Sequence, residues 1–132
     1  MKKIYIKIAG IINLLTALVH LLAGQIDLVN PLNSSSLELQ QKAEWVGVWH
    51  LVTILLFYTS YLILKEGLTK ANKTDLGQLK SLGVLYVLAG VPFMLSSVYF
   101  TVFAPQWVLL MPIGILVLLG LKNRTKGLGK GH

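Results

Sequence analysis

The sequence predicts an all-α integral membrane protein, a four-helix transmembrane bundle with its N- and C-termini in the cytoplasm. Three observations lead there. Of the 132 residues, 55% are hydrophobic and only 13% are charged, with a mean hydropathy of +0.69, whereas a soluble domain carries roughly 25% charged residues to wet its surface. The apolar residues gather in stretches long enough to cross a hydrocarbon core of about 30 Å, which takes about 20 residues of helix. The twelve basic residues, set against five acidic ones for a net charge of +7, sit at the ends of those stretches, where they act as topology signals and meet anionic lipid headgroups. That placement argues against nucleic acid as a partner, since phosphate binding needs the basic residues clustered on one face. With no cysteine, the chain has no disulfide, thiolate metal site or thiol redox chemistry. Residues 1–132 read as a single four-span domain of a multi-pass protein in the cell membrane, with membrane lipids as partners.

The first span is expected over residues 4–28. Lys2, Lys3 and Lys7 ahead of an apolar run resemble a secretory signal, and Leu21-Leu22-Ala23-Gly24 resembles the start of a lipoprotein cleavage site. Gln25 stands where the lipid-bearing cysteine would be, and the run exceeds a usual signal core, so a retained helix is expected. A polar connection follows over residues 29–44. Asn30-Pro31 disfavours helix and the run Ser34-Ser35-Ser36 offers hydroxyls to free backbone N–H groups, so the chain should turn there and restart near Ser36, with Ser35 and Glu38 as a capping box. Glu38 and Glu44 then ride on exposed helical turns.

The second span is expected over residues 45–64, with Gly67 as its stop and Thr74 as the restart of the next helix. The third covers residues 79–103 and carries Ala89-Gly90-Val91-Pro92. Pro92 removes one backbone hydrogen bond and should kink the helix. A connection of little more than Ala104-Pro105 leads to the fourth span, residues 106–121, where Pro112 and Gly114 weaken the pattern. The Gly- and Lys-rich tail carries Lys122, Arg124, Lys126 and Lys130 and ends in His132, which is expected to be disordered. Only Lys42 of the twelve basic residues falls on the side opposite the termini, which places both termini inside. No span holds a Gly-x-x-x-Gly pair, so a homodimer is left open.

Ionisable groups within a bilayer are costly unless paired, so the few in the spans are functional candidates. On the first span Asn13, Thr16, His20, Gly24 and Asp27 fall within an arc of about 80°, a single polar stripe. On the second, His50, Thr53, Phe57, Ser60 and Tyr61 spread over about 100°. His20 and His50 both lie roughly 8–11 Å below the outer helix ends at 1.5 Å per residue, and neighbouring antiparallel helices pack at about 8–10 Å. The two imidazoles are therefore expected to share one pocket. Ser97 comes to the same level, and Trp45, Trp49, Tyr99, Gln106 and Trp107 ring the boundary.

Three readings of this cluster stand. His20 and His50 act as polar glue in a structural or assembly protein with no ligand. Alternatively His20, His50, Asn13, Thr16, Asp27, Thr53, Ser97 and Trp49 line a pocket facing the outer leaflet that binds, moves or modifies a lipid-like or amphipathic small molecule. In the third, His20 and His50 ligate haem or a divalent metal, since neutral imidazole suits Zn, Cu and Fe. No residue is assigned a catalytic role: Ser97 sits in no Gly-x-Ser-x-Gly turn, and no His-Glu-x-x-His or glycine phosphate loop is present. The small multidrug transporters also have four short spans, but they need a carboxylate embedded in the first. Here that depth is taken by His20, and Asp27 lies at the rim.

Overall fold

The computed structural model describes residues 2–70 and 73–122, and all regular structure among them is helical. Arg124, Lys126, Lys130 and His132 lie outside the described residues. Helix α1 (Lys3–Gly24) runs through a five-residue π turn (Gln25–Val29) into the short α2 (Asn30–Asn33); α3 (Leu39–Leu68), α4 (Leu76–Tyr99) and α5 (Gln106–Leu121) follow. Three stretches, Lys3–Asn33, Leu39–Leu68 and Leu76–Tyr99, are long and apolar enough to cross a membrane. The 16 residues of α5 make about 24 Å at 1.5 Å per residue, a little short of a 30 Å core.

Asn30-Pro31 does not break the first helix. A proline ring collides with the carbonyl four residues back and offers no N–H, and the turn ahead of Pro31 is the wider π kind, in which Asn30 N–H bonds to the Gln25 carbonyl. The chain turns at the serines instead: the Ser34 and Ser35 hydroxyls donate to the Asn30 and Leu32 carbonyls. The capping box at the start of α3 also lies three residues later than expected, with Glu38 as the N-cap and Gln41 returning the bond to the Glu38 N–H. Gly67 does not stop α3, which runs on to Leu68, and α4 starts on Asp75, whose carboxylate accepts from Gln78 N–H at 2.9 Å. The third connection spans residues 100–105, longer than Ala104-Pro105, with Thr101 in the left-handed region at φ 53°. Ser97 closes this turn by accepting from Ala104 N–H at 3.0 Å.

Neighbouring helices are antiparallel. α1 packs on α3 and on α5, α4 packs on α5, and α3 and α4 touch little. Close backbone approach at glycines sets the crossings, as expected where small residues let helices meet without a hydrophobic drive from water. A Cβ at Gly114 would stand 2.5 Å from the Gly83 carbonyl oxygen, and one at Gly10 would stand 2.7 Å from Leu64 Cγ. At the end that carries the lysines, Lys3 donates to the Glu66 carbonyl and to Thr74, placing a cation against the C-terminal turn of α3 where the helix dipole favours it.

Most of the buried core lies in this basic half, with Ile6 and Ala9 of α1, Leu62 and Ile63 of α3, Leu79 and Leu82 of α4, and Ile113 and Val117 of α5, while Ala17 and Leu56 continue it between α1 and α3. At its upper edge Asn13, Thr59 and Tyr86 form a closed polar ring. Asn13 donates to Thr59 at 3.1 Å, Tyr86 donates to Asn13 Oδ1 at 2.9 Å, and the Thr59 and Tyr86 hydroxyls share a short bond. From Val91 onward no residue of α4 is buried. The bundle is thus zipped in one half and splayed in the other.

Candidate functional site

The splayed half encloses a cleft of about 440 Å³ whose walls come from all four long helices. α1 and the π turn contribute Thr16, Val19, His20, Ala23, Gly24, Asp27 and Leu28; α3 contributes Trp49, Val52 and Leu56. Phe93 of α4 and Gln106, Leu109 and Leu110 of α5 complete it, with Pro105 at the rim. That volume lies within the usual span for small-molecule sites, which are mostly apolar with a few placed polar groups.

His20 is the best-defined polar group of the lining. Its ring stacks on the Trp49 indole with centroids 3.8 Å apart and planes at 10°, and its Nδ1 lies 3.0 Å from Thr53 Oγ1. The Thr53 hydroxyl thus has two partners, the Trp49 carbonyl oxygen at 3.1 Å and the His20 ring nitrogen. A neutral imidazole carries one N–H and one acceptor nitrogen, so His20 brings one of each to this wall. Gly24 makes room for this arrangement, because a Cβ there would stand 1.9 Å from Trp49 Cζ2. The Trp49 indole N–H is consequently buried without a partner, as is Gln106 Oε1.

Of the residues expected to form one pocket, Thr16, His20, Asp27 and Trp49 line the cleft. Thr53 is 5% exposed and acts behind the lining, holding His20. Asn13 is fully buried and belongs to the polar ring with Thr59 and Tyr86. Ser97 is engaged in the 100–105 turn, donating to the Phe93 carbonyl at 2.9 Å. His50 is exposed and outside the lining, so the two imidazoles do not share the cleft. The reason is rotation: α3 turns Trp49, Thr53, Leu56, Ser60 and Ile63 inward, so Thr53 and Ser60 of the expected face are buried while His50, about 100° from the centre of the inward face, is exposed. Tyr61 is exposed with it, while Phe57 is half-buried. Among the described residues no group of three His, Cys, Asp or Glu side chains converges to hold a metal, and His20 alone offers the cleft a ligating nitrogen.

Val19, Leu56, Phe93, Leu109 and Leu110 were not singled out by sequence as site residues, since apolar side chains in an apolar span carry no distinguishing signal. Gln106 and Gly24 were visible, one as a boundary polar residue and one as a member of the polar stripe. No protein-family model matches the chain, and neither a curated relative nor a solved structure does, so the site is read from its geometry.

Proposed function

We propose that the chain is a multi-pass membrane protein with cytoplasmic termini, and that its cleft opens near the outer face and holds a lipid-like or amphipathic small molecule. The lipid environment is supported by apolar side chains turned outward around the helices, such as Leu15 at 56%, Ile54 at 64%, Leu88 at 60% and Leu95 at 60% exposed. In water such a surface would far exceed the apolar patch a monomer tolerates. The basic residues at one end support the orientation.

The observation that carries the ligand reading is the division of the bundle. Polar glue is supplied in the packed half by Asn13, Thr59 and Tyr86, where each partner is satisfied within the protein. His20 stands apart from that ring, held by Thr53 and the Trp49 indole at the wall of an apolar space. A packing role accounts for the first group and leaves the cleft unexplained.

The test is extraction. Protein purified in a mild detergent should carry an amphiphile at close to one per chain, identified by mass spectrometry of the organic extract. Ala23→Phe, which places a ring in the cleft lining, should lose it while melting as before. Equal amounts of the same lipids from both proteins would reject the reading.

A further inference from the structure

We infer that the molecule held in the cleft is a lipophilic amine, its ammonium at the Asp27 carboxylate and its apolar body against Val19, Leu56, Phe93 and Leu109. This rests on the cleft being a ligand site and adds the chemistry of the headgroup. Among the described residues Asp27 is the one charged side chain in the lining, and it is exposed at the mouth. No lysine or arginine among the described residues lines the cleft. The single basic residue on this end of the bundle among the described residues, Lys42, donates to the Asn33 carbonyl at 2.9 Å, whereas Glu38 and Glu44 are exposed on the same end.

A second polar group, His20, is fixed deeper in the wall by Thr53 and by the Trp49 ring. The indole N–H of Trp49, the donor that an anionic head would need, is buried without a partner, against Gly24, and is closed to a ligand. An anionic head would therefore meet the Asp27 carboxylate with no cationic side chain beside it among the described residues. An ammonium meets the carboxylate, and a second polar group on the ligand about 10 Å deeper, two helical turns along α1, would meet His20. Nearby carboxylates also raise the local concentration of cations at such a mouth.

The experiment compares three molecules that share one tail: radiolabelled dodecylamine, dodecanol and dodecanoate. Each is equilibrated at neutral pH by dialysis against the purified protein in dodecyl maltoside, with protein-free micelles as the control. Dodecylamine should be retained above the micelle control and above the other two. Asp27→Asn should lower its retention to the level of dodecanol, roughly three- to fivefold, the reach of an exposed ion pair. Ala23→Phe should abolish retention of all three. If dodecanol or dodecanoate is held as well as the amine, or if Asp27→Asn changes nothing, the charge assignment is overturned while the cleft stands. If none of the three exceeds the micelle control, the ligand site itself is rejected.

Discussion

Trp49 occupies the space that a side chain on Gly24 would fill: a Cβ built there would lie 1.9 Å from Cζ2 and 2.6 Å from Cε2 of the indole. The absence of one methyl group on α1 thus fixes the position of an aromatic ring on α3, and that ring in turn carries the stacked imidazole of His20. Gly24→Ala should displace the indole, since the obstructing atoms are a rigid ring rather than a flexible chain end. Overpacking of this kind costs about 1–3 kcal/mol. Thermal melts should show the loss together with a shift of tryptophan emission. Gly47→Ala is the control: a Cβ there meets nothing within 4 Å, and the gain in helix propensity should leave stability equal or slightly higher.

The ring of Asn13, Thr59 and Tyr86 should behave as one unit. Tyr86→Phe removes the donor to Asn13 Oδ1 and the partner of Thr59, at a cost of about 1 kcal/mol, given that interhelical bonds in membranes average about 0.6. Asn13→Leu should cost a similar amount, and the double variant clearly less than the two together, because each single change already opens the ring. Additive losses in denaturant or thermal unfolding would show that the three side chains act independently.

The crossing of α4 and α5 makes a directional forecast. At Gly114 an added Cβ faces backbone, 2.5 Å from the Gly83 oxygen and 2.9 Å from Val87 N. At Gly83 it faces mainly the side chain of Leu118, 2.8 Å from Cγ, which can change rotamer. Gly114→Ala should therefore destabilise by about 2–3 kcal/mol and Gly83→Ala by roughly half as much. A reversed order in unfolding experiments would contradict the crossing geometry.

The proposed orientation has its own check. A reporter active only outside the cytoplasm should give signal when inserted at Ser35, in the turn between α2 and α3, and none when fused after Lys126. The opposite pattern would exchange the two faces and place the cleft on the cytoplasmic side.

How much of this was written in the sequence follows from what each level of physics constrains. The apolar stretches and their flanking charges determined the number of helices, their approximate places and the clustering of lysines at one end, because transfer of apolar residues depends on composition and run length alone. The polar stripe of α1 was equally legible, and Thr16, His20, Gly24 and Asp27 do face one cleft. The facing side of α3 was not. That helix is apolar around its circumference, so burial cannot rank its faces, and a choice of one residue's rotation separates His50 inward from Trp49 inward. Tertiary packing made that choice through the hole at Gly24, which admits the indole. Pro31 shows the same limit locally: its missing N–H predicts a break, but a π turn five residues long absorbs it and carries the helix on to Asn33. The cleft itself is a property of three dimensions only. It exists because Gly83, Gly114 and their neighbours draw the helices together in one half of the bundle, while beyond Val91 no residue of α4 reaches the core.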